Sequence, residues 1–306
     1  VSDQVDSEIN DQDVGSSSAQ GVTRPILVID RTGLSTLDAR PNFFEYLRQL
    51  YGRRAYILAD AKARAFQGSR DYILGATWVI LEPLMNAAMY GLLFGFLFSA
   101  SRGIDNYIGY LVLGITYFSH LNRCLLGGPG LVRANRAMMS SFHFPKASIV
   151  FSQSQFRLYD FLPSAIVGVI FALCTQWQKP ISWTIVFLPL LVLMLHVFGV
   201  GLMLISARIC AFIPDFRVAL NFLSRFWLYG SGIFFSAERF IHHPFVYKAI
   251  TINPAYQFVK AIRDVTIYDT VPSAAVWGML LAWSIGTFVV GLVYFWEAEE
   301  RYVSIF

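Results

Sequence analysis

The sequence predicts an all-α integral membrane protein, with six transmembrane helices, an N-terminal amphipathic interface helix and two short extracytoplasmic helices between spans five and six. Three observations carry this reading. The 306 residues are 56% hydrophobic and only 14% charged, with mean hydropathy +0.51, whereas soluble domains are roughly a quarter charged. The apolar residues are gathered into long runs, so lipid is the solvent for most of the chain. Bases concentrate in alternate connections between those runs, as expected where Lys and Arg set orientation.

Residues 1–40 are polar and acidic (Asp3, Asp6, Glu8, Asp11, Asp13), then rich in Gly and Ser. They lack the basic and then apolar order of a secretion signal and read as a disordered cytoplasmic tail. In residues 41–71, Phe44, Leu47, Tyr51, Ile57 and Leu58 are interleaved with Arg48, Arg53, Arg54, Lys62 and Arg64. Such a stretch lies in the interface plane, bases toward headgroups and rings toward acyl chains; a cytosolic helix packed on protein is the plainer alternative. Six apolar runs follow, over residues 72–99, 107–126, 147–174, 181–206, 218–235 and 274–296. Each can cross a core of about 30 Å at about 1.5 Å per residue.

Arg48, Arg53, Arg54, Lys62, Arg64 and Arg70 precede the first run, Arg133, Arg136 and Lys146 follow the second, and Arg208 and Arg217 follow the fourth. The short alternate loops hold only Arg102 and Lys179. The connection between spans five and six, with Arg239, Lys248, Lys260 and Arg263, is the exception, partly offset by Glu238, Asp264 and Asp269. Long loops translocate with less regard to charge, so both termini are expected in the cytoplasm. The connection between spans five and six is too polar to cross the membrane. Within it Asn253-Pro254 is a helix start, Asn capping and Pro taking a position whose N–H would lack a partner. Ala255, Phe258, Val259 and Ile262 then recur at helical spacing. Two short helices are expected there, dipping into or lying on the outer surface as a lid over an exit.

Several segments resemble the permease subunits of ABC-2 type polysaccharide exporters, which move glycans on a polyprenyl lipid. They are Tyr46-Leu47-Arg48 with Arg53-Arg54, the run from Gly75 through Trp78 and Glu82-Pro83 to Leu84, Tyr90 to Gly95, Phe144-Pro145, and Asn253-Pro254 ahead of Arg263. The acidic leader and high aromatic content look most like actinobacterial galactan exporters. The resemblance covers the chain from about Phe43 onward and assigns residues 72–306 to an ABC-2 type six-helix domain in a bacterial plasma (inner) membrane. It implies a homodimer with two copies of a separate ATPase, which would hold the ATP and Mg. This chain has no Gly-x-x-x-x-Gly-Lys-Ser/Thr loop with which to cradle phosphates itself. One departure stands out: Ser140-Ser141-Phe142-His143 precede Phe144-Pro145 where the family often has a base.

Ionisable groups within spans are costly and mark function or structural pairing. Glu82, Arg123, Arg157, Asp160 and Arg225 all fall in the expected inner half, with Arg157 and Asp160 spaced i, i+3 on one face. Either they fix helix register, or Arg123 or Arg225 draws in the pyrophosphate of a lipid-linked substrate. Aromatic rings at helical spacing (Tyr90, Phe94 and Phe98; Tyr110 and Tyr117; Phe222, Phe226 and Tyr229), together with Trp78, fit a stacking track for sugars. Lipid-facing or core packing serves them equally well. Residues 129–146, with Arg133, Arg136, Met139, Phe142 and Phe144, read as a short inner helix that couples to the ATPase, or as a mere connection. Asn253, Pro254, Phe258 and Ile262 are the expected extracytoplasmic gate.

Other chemistries find little support. The net charge of +4 is dispersed, which argues against nucleic acid. Cys124, Cys174 and Cys210 and the five histidines show no metal-ligand spacing, so no metal is expected. No clustered acids of the DxD type appear, as a membrane enzyme acting on lipid-linked sugars would need. A drug or antibiotic exporter of the same superfamily is the nearer alternative.

Overall fold

The computed structural model describes residues 42–68, 104–142, 144–176 and 182–304, with isolated positions between 81 and 93. The expected tail and nearly all of span one, including Trp78, Glu82, Tyr90, Phe94 and Phe98, lie outside the described residues. Those described are helical, with no strand among them. The elements are α1 (Phe43–Gly52), α2 (Arg54–Gly68), α3 (Tyr107–Gly127), α4 (Leu131–Ala134), α5 (Arg136–Ser141), α6 (Ala147–Cys174), α7 (Leu188–Phe212), α8 (Phe216–Tyr229), α9 (Pro244–Ile252), α10 (Pro254–Thr266), α11 (Ala274–Glu297) and α12 (Arg301–Ser304).

Three segments among the described residues are long and apolar enough to cross a membrane: Ala147–Cys174, Trp183–Phe212 and Ala274–Glu297. They match the third, fourth and sixth apolar runs. The second run forms α3, a 21-residue helix whose start is capped by Asn106, its side chain accepting from Gly109 N at 3.1 Å. It is the enclosed post of the fold. Leu111, Leu113, Tyr117, Phe118 and Leu121 are buried against α6, α7 and α10, which suits a helix apolar on nearly every side.

The fifth run departs from expectation. A span over residues 218–235 was read from hydropathy, but α8 ends at Tyr229, and its 14 residues rise only about 21 Å at about 1.5 Å each. Gly230-Ser231-Gly232 breaks the helix, with Gly232 at φ 58°, where a side chain would also meet the Tyr256 ring at 2.7 Å. Residues 230–235 turn back into the core, and Ile233 and Phe234 are fully buried.

The N-terminal interface stretch is two helices that break at Arg53. Its plainer reading holds on one face: α2 packs along α6, with Ile57 and Ala61 buried, Asp60 bonded to Ser152 and paired with Arg64 at 3.0 Å. Phe44, Tyr51, Tyr56 and Leu58 stay exposed on the other, as contact with lipid would require.

Packing between α7 and α11 depends on glycine. A Cβ on Gly201 would stand 2.5 Å from the Thr287 backbone, and one on Gly291 would stand 2.6 Å from the Gly201 carbonyl, so the two helix backbones touch there. Gly201→Ala should therefore destabilise the chain by about 1–3 kcal/mol through overpacking. Gly286→Ala on the same helix pair, where a Cβ meets nothing within 4 Å, should be close to neutral. Thermal melting of both variants in detergent checks this.

Candidate functional site

Asp160 on α6 pairs across helices with Arg123 on α3, Nη1 to Oδ2 at 2.8 Å. The expected pairing of Asp160 with Arg157 along one helix is thus corrected: the inter-helix partner wins. Arg157 lies half-buried beside the Phe156 ring at 5.2 Å, its Nε without a partner. A small cavity of about 30 Å³ adjoins Arg123, lined by Thr116, Ser119, His120 and Ser164 together with Ile115 and Phe161, with room for two or three waters at about 10–15 Å³ each. Arg225 is elsewhere, exposed on α8.

The expected channel aromatics divide into two groups. Tyr110 and Tyr117 are core residues, 5% and 1% exposed, and Tyr117 stands edge-on to Phe161 at 5.3 Å. Tyr110 nevertheless forms part of the wall of a cavity beside α10. Phe222, Phe226 and Tyr229 are half or more exposed and, with Val218 and Arg225, form one open face of α8. Phe222 and Phe226 meet edge-on at 4.8 Å.

Residues 129–146 fold as α4 and α5 between α3 and α6. Arg133, Arg136 and Phe142 are exposed, Met139 is buried, and Phe144 is half-buried. A mostly apolar groove of about 240 Å³ runs between this hairpin and α2, lined by Arg53, Tyr56, Met138, Phe142 and Phe144. Close by, one carboxylate gathers three chain segments. Glu299 accepts from the Tyr46 hydroxyl at 2.9 Å and the Lys146 backbone N–H at 2.7 Å, while Lys146 Nζ donates to the Glu299 carbonyl at 2.7 Å. Tyr46 also accepts from Ala147 N at 3.1 Å. Burial pushes the Glu299 carboxyl above its ordinary range, with Lys146 pulling the other way. Sequence reading passed over Glu299 because nothing local marks a tail residue as buried.

At the opposite end lies α10. Asn253 caps it as expected, accepting from Ala255 N at 3.0 Å, and it also accepts from Trp227 Nε1 at 2.9 Å and donates to the Gly230 carbonyl at 3.1 Å. The helix dips into the fold: Phe258 and Ile262 are 0% exposed and face the core. Pro254 occupies its first turn. Arg263, 2% exposed, donates to three carbonyls, of Tyr110, Gly232 and Ile233, each at 3.1 Å, with its guanidinium 3.3 Å over the Tyr110 ring. The Tyr110 hydroxyl reaches the Gly232 and Phe235 carbonyls at 2.8 and 2.9 Å.

His120, Cys124 and His196 also converge. The ring nitrogens lie 3.3 Å apart and the Cys124 Sγ is 3.8 Å from His120, with all three candidate ligand atoms within 4.8 Å of one another. Sequence spacing could offer only the i, i+4 relation of His120 and Cys124; His196 arrives from α7. A shared proton between the rings accounts for their close approach.

The model of the ABC-2 type transporter family matches residues 56–267. The chain belongs to the ABC-2 type transporter family. This ABC-2 chain is also 20% identical, over 259 residues, to the O-antigen export system permease protein RfbA of Myxococcus xanthus, a match spanning 84% of this chain and 95% of that protein. The family resemblance drawn from the sequence therefore holds, and the chain is a transport subunit of a membrane transporter.

Arg263→Met should destabilise this ABC-2 chain, since a buried acceptor stripped of its donor costs about 1–3 kcal/mol; the Ile233 carbonyl loses its side-chain donor outright, while the Gly232 carbonyl keeps the Tyr110 hydroxyl. Arg263→Lys should rescue it only in part, because an ammonium cannot fork across three carbonyls. Melting temperatures in detergent, with Lys248→Gln on exposed α9 as control, read the difference.

Proposed function

We propose that this chain is the permease subunit of an exporter that moves a polyprenyl-pyrophosphate-linked polysaccharide, a galactan by resemblance, out across the bacterial plasma membrane. Two copies pair with two ATPase subunits that supply the ATP chemistry. The observation that carries this reading is the nearly end-to-end match to an O-antigen export permease. A match over most of both chains supports a shared topology and, with it, a shared mechanism.

The hydrogen bonds support six crossings with both ends inside. Tyr46, Lys146 and Glu299 meet at one end of the fold. Three apolar helices long enough to span lie between residues 146 and 299, an odd number, so a chain returning to the same side needs one more net crossing. Among the described residues we assign it to α8, the chain beyond Tyr229 turning back into the core. By the same parity α3, between residues 46 and 146, needs a partner crossing, and residues 72–99 are the apolar run available. The surplus of bases at the Tyr46 end supports a cytoplasmic placement.

On this reading the open face of α8, with Phe222, Phe226, Tyr229 and Arg225, borders the conduit between protomers. Arg123 is the inner charge set to meet an entering pyrophosphate. The α4–α5 hairpin and the groove beside Phe142 take the thrust of the ATPase, since coupling free energy needs physical contact.

Affinity purification of the tagged chain should bring down an ABC ATPase in equal amount, and depletion should leave lipid-linked glycan accumulating inside cells. Phe142→Asp, on an exposed ring, should lower export at least tenfold while ATPase activity persists. A charge at buried Met139 would test folding instead. A partnerless chain, or normal export after depletion, would overturn the reading.

A further inference from the structure

The end of the fold remote from Glu299 holds a cavity of about 260 Å³ that the conduit does not use. Its place is fixed by Asp105 at the entrance to α3, next to Asn106, whose side chain donates to the Ala172 carbonyl at the far end of α6 at 2.9 Å. The remaining walls come from α10 and from Ser236 and Glu238. On the topology proposed above this is the extracytoplasmic side.

The lining is specific in its chemistry. Asp105 and Glu238 are exposed to the cavity and form no ion pair with the described residues, while Asp264 is held by Lys260 at 2.7 Å. Arg263 is committed to its three carbonyls. Three carboxylates thus face two cations in the lining, a net negative charge that disfavours phosphate and pyrophosphate. The hydroxyls of Tyr256 and Tyr268 make no hydrogen bond to the described residues. Burial pushes both phenols up, Tyr268 to about 12, so both stay neutral and can donate as well as accept. Two carboxylates wanting O–H donors, two uncommitted phenols and nearby ring faces make a recognition set for polyols. The size suits one sugar ring and falls short of the roughly 300–1,000 Å³ of drug-sized pockets. The wall is preorganised, because Arg263 pins the Gly232 and Ile233 backbone and the Tyr110 ring.

We propose that this cavity is a subsite for one uncharged sugar residue of the glycan as it leaves the protein, held by Asp105, Glu238, Tyr256 and Tyr268. The assignment rests on the exporter reading for its substrate and on the cavity for its place. Weak binding serves export, since a residue gripped tightly at the exit would halt the chain behind it. A neutral sugar is favoured over a polycation because Lys260 and Arg263 stand in the same wall as the acids, and the two phenols offer hydroxyl donors that a polycation does not need.

The test is saturation-transfer NMR on the purified transporter in lipid nanodiscs, with a linear galactan tetrasaccharide and a glucan tetrasaccharide as neutral probes. Spermidine and inorganic pyrophosphate serve as charged ones. A neutral tetrasaccharide should show saturable contact that the Asp105→Asn/Glu238→Gln double variant weakens at least tenfold. Lys248→Gln should leave it unchanged, and neither charged probe should displace it. No contact in the unaltered protein, equal contact in the double variant, or displacement by spermidine or pyrophosphate would overturn the subsite. Both acids are exposed, and a melting curve for the double variant confirms that it folds. Export is read separately in cells: loss of the subsite with export intact on depletion-rescue removes only this assignment, whereas export indifferent to depletion removes the exporter reading.

Discussion

Where a chain leaves helical conformation within a membrane protein, each carbonyl it frees needs a donor from the protein, because lipid offers none. Residues 230–235 are such a place, and Arg263 is the donor that makes them possible. One guanidinium spans the Gly232 and Ile233 carbonyls and reaches the Tyr110 carbonyl on a third segment. An Arg is suited to this by its rigid planar fork of donors, which a Lys lacks. With the break after α8 thus stabilised, α10 can sink into the fold, and the cavity between α3 and α10 acquires a fixed wall.

The end at which Tyr46, Lys146 and Glu299 meet is held by a different device. Glu299 joins α1, the start of α6 and the segment after α11 through its carboxylate and backbone carbonyl, so three segments far apart in sequence move as one piece. The α4–α5 hairpin sits between two of the helices so anchored, α3 and α6. On the proposed reading, force applied there by a partner would pass to helices rather than be absorbed by a loose loop. Between the two ends the helices touch through glycine, as at Gly201 and Gly291, which leaves little room for independent sliding.

Much of this was legible in the sequence, and the parts that were not share a cause. Hydropathy found α6, α7 and α11 because their neighbours, lipid or apolar side chains, reward the same composition. The Asn253-Pro254 cap is local chemistry and was read correctly. Hydropathy overran α8 because Ile233, Phe234 and Phe235 are as apolar as a span, and a buried return through the core looks the same in composition. Asp160 pairs with Arg123 rather than Arg157, and His196 comes to His120 and Cys124, through contacts between helices that no spacing along one helix encodes. Tyr110 and Tyr117 lie at the periodicity of a stacking track yet are packed inside, since an aromatic stripe marks a face without saying what the face meets. Glu299 is the extreme case, a charged tail residue whose burial depends on partners more than 150 residues away.

The central claim is that this chain forms a conduit for a lipid-linked glycan driven by a bound ATPase. The most direct measurement reconstitutes the chain and its co-purifying ATPase in proteoliposomes loaded with radiolabelled polyprenyl-linked glycan, and follows its accessibility to an added glycosidase. The account predicts that ATP moves glycan to the face opposite the ATPase, and that omitting either protein or ATP stops it. Glycan that stays put with both proteins and ATP present, or that crosses with this chain alone, would contradict it.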